Sequence, residues 1–295
     1  MDTTNNSTPS NTFSITPMSH SFSLSAGEQT SGAITVINQS DSTKPFSFKV
    51  SVAPYGVKGN NYDADLVTET DLTQLAKWIT IENPSGTIDP GKSEEIKFTI
   101  NVPADAPGGG QYAAIVVSSD SQAEGSESQS VVEYVYEVAS VIYSQIAGKT
   151  EHKGAILSHN VPGFSTTPKV SVNATIKNEG NVHEFANVSL TVTNALTGED
   201  IFSSEELDTP ISEIVMPYSE RYIVRNISNL PSLGVISIKE TIKYLGESST
   251  IEQNLIICPL WFLLLASLTI VAAVGAIVAR ARRRHNKTKR NRAED

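Results

Sequence analysis

Residues 259–279 read PLWFLLLASLTIVAAVGAIVA, a run without one charged side chain, and the equally uncharged LIIC precedes it. At about 1.5 Å per helical residue such a run covers roughly the 30 Å hydrocarbon core of a bilayer, so a membrane-spanning helix is expected over 259–279. The length argues against a buried helix of a soluble domain. A tail of 16 residues comes directly after it, RARRRHNKTKRNRAED, in which Arg280, Arg282, Arg283, Arg284, Lys287, Lys289, Arg290 and Arg292 stand against two acids. Basic residues beside a span set its direction: residues 280–295 are expected to be cytoplasmic and everything before the span to lie outside. Next to a span the same run reads as a topology signal rather than a nucleic-acid patch, with attraction to anionic headgroups as an addition.

The chain of 295 residues carries a formal net charge of −10, and the tail alone carries +6, so the first 254 residues stand at −16. An acidic body repels phosphate backbones, which excludes nucleic acid as an expected partner. The opening MDTTNNSTPSNTFSITP has neither a basic n-region nor an apolar h-region, so no signal peptide is read there. The one cysteine, Cys258, sits at the mouth of the span. That excludes a disulfide framework and a cysteine-based zinc site, and it suits a bacterium that exports across a single membrane.

From Phe13 onward the pattern has period two. In PFSFKVSVAPY the residues Phe46, Phe48, Val50 and Val52 share one face and Ser47, Lys49 and Ser51 the other; SEEIKFTINVP repeats this with Ile96, Phe98 and Ile100. Turns rich in Gly, Pro, Asp and Ser separate these runs, which fits antiparallel strands with one wet face. YAAIVV and VVEYVYEVASVIYSQI are apolar on both faces and are expected in the middle of a sheet. The acidic stretch 118–130 between them reads as a mobile hairpin loop, and TDLTQLAKW as a helical turn crossing one end. A second set begins near Gly148, with Val170, Val172, Ala174 and Ile176 alternating before a Glu179-Gly180-Asn181 turn. ITVINQS and ATIKNEGN share a strand that ends in Asn before a turn.

The expected fold is therefore all-β: two tandem immunoglobulin-like β-sandwiches followed by one C-terminal transmembrane helix. The divisions are a flexible arm over 1–11, one sandwich over 12–147, a second over 148–258, the helix over 259–279 and the basic tail over 280–295. With no Gly/Ser tether before Pro259, the second sandwich is expected to stand close to the membrane.

SLSAGEQTSGAITVINQSD, IDPGKSEEIKFTINVPADAPGGGQYAAIVV, ATIKNEGNVH and VMPYSERY, ahead of a terminal span and basic tail, resemble the WxL-interacting surface proteins of Gram-positive bacteria and their uncharacterised relatives. The resemblance covers nearly all of 12–285. It implies a cell-surface protein whose first domain binds peptidoglycan and whose second engages partner or host proteins.

APGGGQYAAIVV invites comparison with a phosphate loop. Such a loop needs a helix after the glycines, and here they run into a β-branched strand, so the glycines are expected only to turn the chain. Asn60, Asn61, Asp63, Asp65, Glu69 and Asp71 are oxygen donors of the kind calcium takes, but without the EF-hand spacing, and a solvated acidic loop is the default. The histidines show no paired spacing, Glu133 and Glu137 merely share a strand face, and no nucleophile elbow occurs. No enzyme activity and no cofactor or metal are expected. Asn173 and Asn187 open Asn-x-Ser/Thr triplets, which carry meaning only in a chain that passes through an ER.

Tyr55, Tyr62 and Tyr112 cluster near turns of the first domain and are the candidate ligand contacts, since a flat ring with a polar tip suits sugars and peptides. Trp78 is expected to fill the core instead. The resulting expectation is a single-pass bacterial surface protein that adheres or scaffolds by holding peptidoglycan, another wall polymer or a partner surface protein. A chaperone-like sandwich that caps a partner's strand is the alternative, and an accessory domain of a wall enzyme is a further one.

Overall fold

The computed structural model describes residues 13–39, 45–119, 122–124, 132–203 and 211–291. The expected arm over 1–11, most of the acidic stretch 118–130 and Arg292 lie outside the described residues. The body is built of strands and ends in one helix. It divides into two compact units: Met1–Ala155 with Ile176–Phe185 and Ile214–Tyr222, and Ile156–Thr175 with Ala186–Glu213 and Ile223–Asp295.

The strands of the first stretch are β1 (Phe13–Thr16), β2 (Ser19–Leu24), β3 (Gln29–Asn38), β4 (Phe46–Pro54), β5 (Gly56–Lys58), β6 (Asp63–Asp65), β7 (Ile79–Ile81), β8 (Ser85–Ile88), β9 (Ser93–Asn101), β10 (Gly109–Ser119), β11 (Gln122–Glu124), β12 (Val132–Tyr134) and β13 (Glu137–Ile146). Two sheets, ordered β1-β3-β9-β7 and β2-β13-β10-β4-β8, enclose a shared core, and β5-β6 and β11-β12 are separate hairpins. Alternation decides which residues enter that core. Phe46, Phe48 and Val50 are buried while Lys49 and Ser51 are exposed, and Ile96, Phe98 and Ile100 are buried behind exposed Lys97. β10 is apolar on both faces because it is the middle strand of five, paired with β13 and β4. The expected helical turn is a 3-10 turn over Gln74–Lys77 that buries Leu75, and half-buried Trp78 packs against the core beside it.

The remaining strands are β14 (Gly154–Asn160), β15 (Phe164–Ser165), β16 (Val170–Asn178), β17 (Glu184–Asn194), β18 (Asp200–Ser203), β19 (Ile211–Val215), β20 (Ser219–Ile227), β21 (Gly234–Tyr244) and β22 (Glu247–Ile257). One sheet runs β14-β16-β20 and the other β15-β22-β21-β17-β18, with β19 also on β17. The core of the second unit is aliphatic, with Val170, Val172, Leu190, Val192, Ile236 and Ile238 among its members.

β22 ends three residues before the helix α1 (Leu260–Asn291). The helix runs past the expected limit at 279 and takes the backbone of Arg280, Arg282, Arg283, Arg284, Lys287, Lys289 and Arg290 with it. Arg, Lys and Ala are good helix formers, and neither Gly nor Pro interrupts the chain after Gly275. Its Leu260–Ala281 portion, 22 residues, is long and apolar enough to cross a membrane, and none of it is buried.

Candidate functional site

The register of β10 on β13 sets Tyr112 directly opposite Tyr143, and the two rings meet edge-on with centroids 6.0 Å apart. Tyr55, one residue past β4, meets Tyr143 edge-on at 5.9 Å. His183, at the entrance of β17, completes the group at 5.6 Å from Tyr112 and 5.4 Å from Tyr143. All four belong to the first unit.

Tyr112 is only 1% exposed. Its hydroxyl accepts the His183 backbone N–H at 2.9 Å and lies 3.2 Å from His183 Nδ1. Burial lowers the His183 pKa and so keeps the ring neutral, which leaves Nδ1 free to accept the phenol proton. Burial likewise pushes Tyr112 and Tyr143 far above the ordinary phenol range.

The three glycines serve this packing. A Cβ on Gly110 would stand 2.0 Å from the Tyr112 hydroxyl, because residues two apart in a strand share a face. A Cβ on Gly108 would stand 2.7 Å from the Lys149 backbone nitrogen, and Gly109 has φ +127°. β10 starts at Gly109, so the glycines lead into a strand and not into a phosphate-binding helix.

Tyr62 adopts φ +61°, and its hydroxyl accepts the Met216 N–H at 3.0 Å and pairs with Ser219 Oγ at 2.5 Å. The Arg221 guanidinium lies 4.7 Å above its ring. Burial raises its pKa despite these partners.

The structure thus brings Tyr55, Tyr62 and Tyr112 into one cluster with Tyr143 and Met216. Tyr112 offers no ring face to solvent, whereas Tyr55 and Tyr62 stay half-buried. Tyr143, His183 and Arg221 escaped the sequence reading. The signal for Tyr143 is its register opposite Tyr112, which depends on a pairing that local pattern does not state.

In the acidic loop, Asp65 is turned inward. Its Oδ1 accepts the N–H groups of Val67 and Thr68, both at 3.1 Å, and its Oδ2 pairs with Lys58 at 3.1 Å. Hydrogen bonding by Thr68 and Val67, with the Lys58 ammonium, holds its carboxyl far below the usual range. Glu69 pairs with Lys77 at 2.7 Å. Asp65 therefore closes its own loop, as Asp does in an Asx turn. Among the described residues no cluster of three His, Cys, Asp or Glu is placed to hold a metal.

The second unit contains a cavity of about 450 Å³ lined by Val188, Leu190, Ile201, Phe202, Ile227 and Leu230, with Arg225, Asn226, Ser228 and Asn229 as polar groups. Its walls include β18, at the end of one sheet, and β20, at the edge of the other. Arg225 is held by Glu213 at 2.5 Å. Deeper in the same unit, Glu240 points into the core with 0% exposure, and its Oε2 lies 3.7 Å from His159 Nδ1. Burial raises the Glu240 pKa and lowers that of His159, so both directions favour the uncharged pair.

No family model matches the chain, and no curated protein matches it. Solved structures do align with it. The class 5 fimbriae chaperone CfaA aligns at 14% identity and TM-score 0.37, covering 83% of this chain and 99% of the other. The CsuC-CsuE chaperone-tip adhesion subunit pre-assembly complex of Acinetobacter baumannii aligns at 14% identity and TM-score 0.38, covering 82% and 98%. The Salmonella enterica SafA pilin in complex with the SafB chaperone aligns at 11% identity and TM-score 0.38, covering 83% and 96%. At such low TM-scores these superpositions transfer neither a strand order nor a binding mode.

Proposed function

We propose that the protein is a single-pass surface protein that holds a partner surface protein through tandem immunoglobulin-like sandwiches, with α1 in the membrane and its basic end in the cytoplasm. The observation that carries this reading is the cavity of the second unit. It joins an apolar hollow to strand edges, and an extended peptide that adds to an edge needs both: backbone pairing along the strand and pockets for alternate side chains. β20 supports it as the end strand of its sheet, with its 223–227 portion in the second unit beside the cavity. The apolar part of the lining, from Val188, Leu190, Ile201, Phe202, Ile227 and Leu230, suits the side chains of a protein, and the polar part suits its backbone.

Wall-polymer binding is the second reading, and half-buried Tyr55 and Tyr62 favour it. The two separate in one experiment on the full chain in membranes, with a photo-crosslinking residue in place of Phe202. Crosslinks to a surface protein that Ile201→Trp abolishes by filling the cavity support the first reading. Saturable retention on purified sacculi, lost in the Tyr55→Ala/Tyr62→Ala variant and without cavity crosslinks, replaces it with the second.

A further inference from the structure

The two ends of the large sheet in the second unit differ in chemistry. At one end lie the start of β21, the end of β22 and the end of β17, since Gly234 pairs with Ile257 and Asn194 with Ile236. Phe164 of β15 pairs with Ile256 at the same end. Four large apolar side chains stand in the open there: Leu196 is 84% exposed, Phe164 52%, Ile256 50% and Leu233 47%. Leu196 is displayed by a formed turn. Asn194 Oδ1 accepts the N–H groups of Leu196 and Thr197 at 2.9 and 3.2 Å, and Gly198 at φ +73° returns the chain to β18. At the far end β21 turns into β22 through Leu245 and Gly246, and the exposed Glu247 and Ser248 come next.

The apolar end is the one from which the helix leaves. Ile257 precedes Leu260 by three residues, a reach of at most about 11 Å. Residues 260–279 at 1.5 Å per residue span roughly 30 Å, the whole hydrocarbon thickness, with Arg280 at the far boundary. No helix length is left over to hold the sheet away from the bilayer. The end of β22 is drawn to the headgroup layer, and with neighbouring strands about 4.8 Å apart the turns beside it come to the same level.

We propose that this end of the second unit is a membrane-docking face, with Phe164, Leu196, Leu233 and Ile256 set into the headgroup layer of the leaflet that α1 enters. The occupant is lipid. Membrane contact accounts for four large exposed apolar side chains gathered at the one end of the sheet from which the helix leaves. The charged groups on these turns are Lys169, Glu199 and Asp200, a net −1 that offers anionic lipid no attraction, so the contact is driven by apolar insertion. The inference rests on α1 spanning the membrane.

The test uses the full chain in phosphatidylcholine vesicles, in a Cys258→Ser background that frees the only thiol position. Single cysteines replace Leu196, Leu233, Glu247 or Ile270 and carry an environment-sensitive fluorophore. Lipids spin-labelled near the headgroup should quench positions 196 and 233 several-fold more than position 247, with blue-shifted emission, and deep-labelled lipids should quench position 270. If 270 responds to lipid while 196 and 233 respond only to aqueous iodide, as 247 does, docking is overturned and the span stands. If 270 fails to respond, the span itself falls and docking with it. Shielding of 196 and 233 from both lipid and iodide means that protein covers this face, which also overturns the proposal.

Discussion

The two units fill their interiors with different chemistry. In the first, Phe13 stacks on Phe46 at 4.3 Å, and His20 and Phe22 both meet Phe98 in T-shaped contacts at 5.3 and 6.3 Å. In the second, Val, Leu and Ile surround a carboxyl that faces an imidazole. An aromatic core is specific about shape. Gly32 lies under Phe98, where a Cβ would come within 2.4 Å of the ring, so that ring fits only because a side chain is missing opposite it. The aliphatic core tolerates change in shape better, but its ionisable pair ties it to pH.

Phe98→Ala should break the first unit most. The residue has 0% exposure, and loss of a buried phenyl costs about 3–5 kcal/mol. Urea unfolding should show the first unit's transition moving to lower urea while that of the second stays in place. Equal movement of both would mean that the units do not unfold independently.

Asn178→Ala comes next. The buried amide donates to the carbonyls of Val182 and Val215 at 2.8 and 2.9 Å, and its oxygen accepts the Gly180 N–H at 2.8 Å. Leaving such groups without partners costs about 2–3 kcal/mol, read as a lower urea midpoint with an unchanged slope.

Glu240→Gln sharpens the contrast in pH. A carboxyl whose folded pKa is raised keeps a proton that the unfolded chain has released, so its folded state loses stability as pH rises above the ordinary value of 4.5. A histidine with a lowered folded pKa acts oppositely: stability falls as pH drops below 6.5, for His159 and for His20 alike. Both units should therefore weaken in acid, and only the second should also weaken from pH 4.5 upward through Glu240. The amide variant removes that second slope and should be more stable than the parent at pH 8, with the gap closing toward pH 4. A gap independent of pH would show that Glu240 is not the titrating group.

Much of the sheet structure was legible because alternation is local. Ile96, Phe98 and Ile100, or Val170, Val172 and Ala174, declare their buried face with no knowledge of a partner strand. The phrase shared by ITVINQS and ATIKNEGN was legible for the same reason, and both Asn38 and Asn178 turn out fully buried at strand ends. The site was less legible. Tyr112 looked like a surface ring because glycines and turns flank it, yet it is the register with Tyr143 and the arrival of His183, 71 residues later, that bury it. The cavity had no local signal, since Leu190, Ile201 and Ile227 read as ordinary core residues until sheet edges part beside them.

The smallest effect tests the hold on that buried tyrosine. Tyr112→Phe keeps the ring and removes the oxygen that accepts the His183 N–H, so the first unit should lose about 1 kcal/mol, the usual scale for one such bond. The informative reading is the titration of His183, tracked by NMR of the imidazole. Burial is what lowers its pKa, and the phenyl ring still shields the site, so His183 should titrate below 6.5 in the variant as in the parent. A return to the ordinary value would mean that the hydroxyl, and not the closed aromatic wall, keeps His183 neutral. Tyr55 and Tyr143 would then be packing around a hydrogen bond rather than creating the apolar setting that gives the bond its strength.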